Sequence, residues 1–284
     1  MYNAAMFSDY TTIGFLGAGN MAGALIEGLL ARGLPANQLH ASDHAPGKLA
    51  AFAARGLHTT TDNLALVAAC DVLVLAVKPQ VLAQALRPLQ DVLRQSPTLL
   101  LSVAAGIPIS SLQAWSHPGQ AIVRCMPNTP ALVGAGASAL YANAHCSAVQ
   151  RDTAFAIMGA VGSACWLDAE AQLDAVTALS GSGPAYFFLL MEAMQQAAQQ
   201  LGLAPDTSRR LCLQTALGAA QLALASDVDV AELRRRVTSP GGTTEAALRQ
   251  FDSEDFHGLV LRALTRAAER SHELAAATTQ PASE

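Results

Sequence analysis

Ile13-Gly14-Phe15-Leu16-Gly17-Ala18-Gly19-Asn20-Met21-Ala22 is the stretch whose reading decides the fold. Residues 13–16 form a short apolar strand. Gly17 permits a tight turn after it, and Gly19 lets a backbone approach a phosphate with no side chain in the way. Ala22, at the third position of a Gly-x-Gly-x-x-Ala pattern, still allows helix to pack closely on strand. Ala22, Leu25, Ile26, Leu29 and Leu30 then recur at helical spacing, and Arg32-Gly33 with Pro35 supplies a stop. A helix opened in this way offers unpaired N–H groups and the positive end of its dipole, which suits the pyrophosphate of a dinucleotide. The pattern alone is weak. It gains weight from following a strand and opening an amphipathic helix at the head of a βαβ array.

Outward from this turn the alternation continues. Residues 39–42 read as a second strand, followed by a short helix over about 48–55 that Gly56 closes. Val72-Leu73-Val74-Leu75-Ala76-Val77 is apolar on both faces, as a central parallel strand covered by helices on both sides must be, and Lys78-Pro79 ends it. Residues 99–103 and 121–126 read as further buried strands, with a helix over 81–89. The fold class is α/β, an N-terminal Rossmann-type doubly wound sheet. From residue 172 to 274 the periodicity is helical, in segments 173–201, 206–226, 245–251 and 256–277, with no convincing strand. The organisation expected is a dinucleotide-binding domain over residues 1–169 and an all-helical C-terminal domain over 170–284. The boundary should fall within 165–172, where Cys165-Trp166-Leu167 is a candidate edge strand, and 278–284 reads as a frayed tail.

Composition narrows the function classes. The chain is 51% hydrophobic and only 14% charged, yet its apolar runs are broken well short of the roughly 18–20 residues a spanning helix needs. Low charge with much Ala and Leu points instead to large buried interfaces and hence to an oligomer. A net charge of −5 offers no footprint for nucleic acid. Arg234-Arg235-Arg236 is the only basic cluster, either a solvated helix face or an anion site. Five cysteines without a CxxC pair make neither a disulfide framework nor a zinc site, and read as free buried thiols of a reducing cytoplasm. No basic region followed by an apolar core opens the chain, so no signal peptide is expected. No metal-ligand spacing, Ser-His-Asp order, HExxH or P-loop occurs, and the scattered histidines suggest no catalytic base. Hydride transfer fits this poverty, because the cofactor carries the chemistry and the protein orients it.

Three further features bear on ligands. Asp43 follows Ala22 by 21 residues, near the spacing of an acid that binds the adenosine ribose 2′-hydroxyl and repels a 2′-phosphate. His44 and Lys48 stand close enough to offset it, and a plain turn residue before Pro46-Gly47 is the other reading. In Val237-Thr238-Ser239-Pro240-Gly241-Gly242-Thr243-Thr244-Glu245, two glycines behind a proline bend the backbone sharply, and Thr243 or Thr244 is expected to cap a helix beginning near Glu245. Such a terminus is a site for a small carboxylate, or simply a well-capped helix connection. Gly181-Ser182-Gly183 permits close approach of another backbone or of a flat ring, and Pro184 implies a kink or a restart.

Five blocks together carry a resemblance: GFLGAGNMA (14–22), AVKPQ (76–80), RCMPNTP (124–130), LSGSGPAYFF (179–188) and VTSPGGTTEAAL (237–248). In these, and over residues 13–274, the chain resembles the pyrroline-5-carboxylate reductase family, which makes the last step of proline synthesis. The resemblance implies a Rossmann domain plus a helical dimerisation domain, intertwined dimers that assemble into decamers, and NADP(H) and/or NAD(H) as cofactor. It places cofactor contacts on Leu16, Gly17, Ala18, Gly19, Asn20 and Met21, on Asn63, on Ala76, Val77, Lys78 and Pro79, and on Ala104 and Ala105, to which the spacing after Ala22 adds Asp43. It puts the substrate carboxylate on the backbone of Gly242, Thr243 and Thr244, with Ser239 lining the site and the Thr244 hydroxyl reaching the ring nitrogen. Many members carry a small or basic residue where this chain has Asp43, which leaves the choice between NADH and NADPH open.

Two rival readings stand beside this one. A related imine or β-hydroxyacid reductase would share the two-domain plan, but β-hydroxyacid enzymes generally need a lysine in the helical half, and none occurs after Arg151. The other rival is a dinucleotide-sensing protein without catalysis.

Overall fold

The computed structural model describes residues 11–279. The N-terminal residues 1–10, on which the expectation about a signal peptide rests, and 280–284 of the expected tail lie outside the described residues.

The chain runs β1 (Ile13–Leu16), α1 (Asn20–Ala31), β2 (Leu39–Ser42), α2 (Pro46–Ala54), β3 (His58–Thr60), α3 (Asn63–Ala68), β4 (Val72–Leu75), α4 (Pro79–Leu86) and α5 (Gln90–Gln95). It continues through β5 (Leu99–Ser102), α6 (Ile109–Trp115), β6 (Ile122–Met126), β7 (Gly136–Ala142), α7 (Ala148–Gly159) and β8 (Gly162–Trp166). All eight strands form one sheet in the order β3-β2-β1-β4-β5-β6-β7-β8, parallel throughout except for the antiparallel pair β6 and β7. Strand side chains alternate between two cores. Ile13, Phe15, Val72, Val74 and Leu101 pack with Leu25, Ile26 and Ile157 on one face. Leu16, Leu73, Leu75 and Leu100 pack with Leu66, Leu82 and Leu112 on the other. Both faces being buried is why these strands are continuous apolar runs rather than alternating ones.

Two strands carry no such signal. β3 is the three residues His-Thr-Thr at the sheet edge, none of them buried, and β7 is the small-residue run Gly-Ala-Ser-Ala-Leu-Tyr-Ala. β8, the opposite edge, ends at the candidate Cys165-Trp166 and leaves Cys165 exposed. The expectation that the thiols are buried therefore fails at Cys165, on the edge strand, and holds only in part at Cys146, which is half-buried. All five cysteines are free, and burial pushes the Cys70 thiol up to about 12.

After β8 come α8 (Gln172–Val176), a π-helical turn (Thr177–Gly181), α9 (Gly183–Gln200), α10 (Pro205–Leu224), α11 (Val230–Arg236), α12 (Thr243–Ser253) and α13 (Phe256–Thr279). The helical segment expected over 173–201 is interrupted by the π turn and restarts at Gly183, as the kink or restart implied by Pro184 anticipated. Pro184, which lacks an N–H, stands at the second position of a restarted helix, where no intrahelical donor is needed. The expected fray from 278 does not begin there, since α13 includes Thr279. The chain divides into two compact units: residues up to 182 together with 267 onward, and residues 183–266. Within the first, the Ser271 hydroxyl of α13 donates to Asp174 Oδ1 at 2.6 Å. The second unit exposes a run of large apolar side chains on α9, with Phe187, Phe188 and Leu189 each more than 60% accessible. The arginine triplet ends α11 as an exposed helix face, where Arg236 Nε donates to Glu232 at 2.7 Å and Arg235 Nε at 2.8 Å.

Candidate active site

The order β2-β1-β4 makes the gap between β1 and β4 the point where chain direction through the sheet reverses, and crevices at the carboxyl ends of strands there receive ligands. Gly17 stands at this gap with φ +102°, a backbone conformation that a side chain disfavours. A Cβ on it would lie 2.9 Å from both the Ala76 carbonyl oxygen and Val77 Cγ1. The turn is therefore pressed on the end of β4, and the pressing brings Ala76 and Val77 beside it. The Gly17 N–H donates to the Ser42 carbonyl at 2.8 Å, and the Ala76 N–H to that of Leu16 at 2.9 Å. Gly19 caps α1, and the space a Cβ would take there is open. The first helical bond runs from the Gly23 N–H to the Gly19 carbonyl, so the N–H groups of Asn20, Met21 and Ala22 have no helical acceptor. An open cradle lined by orphan donors fits a pyrophosphate.

Asp43, at the end of β2, has a side chain only 6% exposed. Its Oδ2 accepts from the Ala18 N–H at 3.1 Å and from Lys48 Nζ at 3.2 Å. Its Oδ1 accepts from the Ala45 N–H at 2.9 Å and lies 3.3 Å from His44 Nδ1. Burial works against the charge. The backbone N–H groups of Ala45 and Ala18, with the Lys48 ammonium, outweigh it and hold the carboxyl below its ordinary value. Asn63 opens α3, and its Oδ1 accepts from the Ser42 hydroxyl at 2.8 Å.

Leu16, Gly17, Asp43, His44, Asn63 and Val77 share a cleft of about 410 Å³. Its remaining wall was not read from the sequence: Ser42, and Val81, Gln84 and Ala85 on α4. The spacing 81, 84, 85 is one helical face, and with the helix start at Pro79 that signal was available. Lys78 caps α4 and is exposed, with Pro79 at its first position. Ala104 and Ala105 follow β5, the first buried with its N–H 3.4 Å from Ser102 Oγ and the second exposed. Neither borders the cleft.

In the second unit the glycine loop is built around Gly241, at φ +70°. Its N–H donates to Glu245 Oε2 at 2.6 Å, and the Gly242 N–H donates to the Ser239 carbonyl at 3.0 Å. Gly242, not Thr243 or Thr244, caps α12, and no side chain bonds the cap. The reason is local. A Cβ at Gly242 would sit 3.0 Å from the Ser239 oxygen, so the tight position falls to glycine and the threonines become the first two helical residues. Ala246 makes the first helical bond, to the Gly242 carbonyl, which leaves the N–H groups of Thr243 and Thr244 without a helical acceptor. The Gly242 N–H is committed inside the loop. The Gly241 N–H, and then Arg249 at 2.9 Å, hold the Glu245 carboxyl below its ordinary value.

Gly181 and the π turn that ends on it pack within the first unit. Asn128 Nδ2 donates to the Ser180 carbonyl of the π turn at 3.0 Å, while its Oδ1 accepts from the Ala137 N–H at 2.9 Å. A Cβ on Gly181 would overlap the Met126 methyl group. Close packing on the β6–β7 connection is what these small residues permit. Among the described residues no cluster of His, Cys, Asp or Glu has metal-binding geometry, and no helix is long and apolar enough to cross a membrane.

A doubly wound sheet with a glycine turn, an open cradle and orphan N–H groups at its switch point defines a dinucleotide-dependent oxidoreductase. Comparison with known proteins agrees. Residues 12–106 match the family described as NADP oxidoreductase, coenzyme F420-dependent, and residues 170–274 match the family described as pyrroline-5-carboxylate reductase dimerisation. A pyrroline-5-carboxylate reductase of Pseudomonas aeruginosa is 55% identical over 93% of this chain and 96% of its own length. The solved structure of a pyrroline-5-carboxylate reductase from Coxiella burnetii superposes with a TM-score of 0.91 at 43% identity, covering 93% of this chain and 98% of that one. The pyrroline carboxylate reductase of Plasmodium falciparum, solved with NADP bound, gives 0.84 at 30% identity over 95% of this chain and all of that one. The chain belongs to the pyrroline-5-carboxylate reductase family.

Proposed function

We propose that this protein reduces the C5=N bond of 1-pyrroline-5-carboxylate to give L-proline. The observation that carries this reading is the pair of orphan N–H groups of Thr243 and Thr244 at the start of α12, in a chain related over nearly its whole length to reductases of that substrate. Bound NADH or NADPH supplies the hydride, from nicotinamide C4 to the imine carbon. Asn20, Met21 and Ala22 hold the cofactor pyrophosphate on their N–H groups, and Ala76 and Val77 wall the turn. Thr243 and Thr244 donate their N–H groups to the substrate carboxylate, Ser239 lines the site, and the Thr244 hydroxyl hydrogen-bonds at the ring nitrogen. Holding the imine against the nicotinamide supplies proximity, a large part of the assistance such a reaction can receive. No strong acid or base is required. The protein works in the cytoplasm as a dimer that assembles further, to a decamer.

The test is substrate discrimination. The enzyme should prefer 1-pyrroline-5-carboxylate over 1-pyrroline, which lacks the carboxylate, by on the order of 100-fold in kcat/KM, since two charge-assisted hydrogen bonds are at stake. Equal use of the two imines would remove the carboxylate site. Thr244→Ala should lower kcat/KM by on the order of 10–100-fold, and unchanged kinetics would take its hydroxyl out of the mechanism.

A further inference from the structure

Asp43 stands where an acid would meet the ribose 2′-hydroxyl and repel a 2′-phosphate, but its carboxylate is already engaged. Two backbone N–H groups and the Lys48 ammonium bond it, and His44 borders it. The most informative of these is the Ala18 N–H, 25 residues away in the middle of the dinucleotide turn. A carboxylate 6% exposed and bonded on both oxygens acts on the turn that it grips. It is a poor candidate to receive a ribose hydroxyl as well. Lys48 differs. Its side chain is 51% exposed, and it uses one of its three donors on the Oδ2 of Asp43, a residue that lines the cleft. Lys48 also compensates the Asp43 charge, which removes the repulsion that an isolated acid would direct at a 2′-phosphate.

We propose that Asp43 is a positioning residue that braces the Ala18 peptide of the dinucleotide turn, and that Lys48, paired to it, receives the 2′-phosphate of NADPH. The inference rests on the dinucleotide reading of this cleft.

Binding is read by calorimetry on the full-length protein with NADPH, NADH and adenosine 2′,5′-bisphosphate. Lys48→Gln should weaken NADPH and the bisphosphate about 10-fold and NADH by less than about 2-fold, the loss of one charged contact. Equal weakening of both cofactors, or none, overturns the role of Lys48. Asp43→Asn should weaken NADPH and NADH alike. It should also speed amide hydrogen exchange in the peptide covering residues 14–22 while distant peptides keep wild-type rates, a pattern that global destabilisation does not produce. Tighter NADPH binding in Asp43→Asn, with weaker NADH, would instead make Asp43 the ribose selector. Wild-type protein that binds none of the three ligands would sink the dinucleotide reading itself, an outcome distinct from any ranking among the variants.

Discussion

At Gly17 the conformation and the neighbours exclude a side chain independently. The φ of +102° is unfavourable for any L residue, and the Cβ position is already close to Ala76 and Val77. Gly17→Ala should therefore displace the turn from β4 and raise the NADPH dissociation constant by about 10-fold or more, the scale of ~1–3 kcal/mol of backbone strain. Fluorescence titration checks this, and wild-type affinity in the variant would mean that the turn does not cradle the cofactor. The need for glycine here is legible in the sequence, because Gly-x-Gly-x-x-Ala after an apolar strand has few other uses. What grips Ala18 is not legible, because the pattern that places an acid after β2 does not say which donors that acid will find once α2 has folded beside it.

At the scale of elements, the loop before α12 depends on a residue inside the helix. Glu245 ties back to the Gly241 N–H and to Arg249, and its lowered pKa gives the sign of the pH effect. Its folded value lies below the ordinary glutamate value of 4.5, so the stabilisation is fully present above that pH and is lost as pH falls through the folded value. Near neutral pH the brace is intact, and Glu245→Ala should imitate its loss. The expected result is a several-fold rise in the substrate KM with no change in NADPH affinity, and equal effects on both would place Glu245 elsewhere in the mechanism. The same loop shows where sequence reading stops. Helical spacing located α12, but the cap moved to Gly242 because the tightness of the turn at Ser239 is a property of the folded loop. Among strands, β1, β4 and β5 announce themselves as apolar runs, since helices bury both faces, and β6 does so apart from Arg124. β3 and β7 do not, because three polar edge residues and a run of Gly, Ala and Ser carry too little hydrophobic contrast to read.

For the molecule as a whole, the apolar surface of the helical unit matches the dimerisation family to which residues 170–274 belong. Phe187 and Phe188, 64% and 63% exposed in the isolated chain, are the kind of side chains that a second copy covers. Phe188→Glu should lower the mass seen by sedimentation velocity and with it the specific activity. A variant that keeps the wild-type mass would place the interface on other helices. The central claim, that one chain joins a dinucleotide cradle to a small carboxylate imine as substrate, is tested most directly by the reaction itself. With NADPH or NADH and 1-pyrroline-5-carboxylate, the purified protein should form L-proline in equimolar amount to the oxidised cofactor. Cofactor binding without any proline formed, at any ratio of the two cofactors, would contradict the account and leave a protein that only senses the nucleotide.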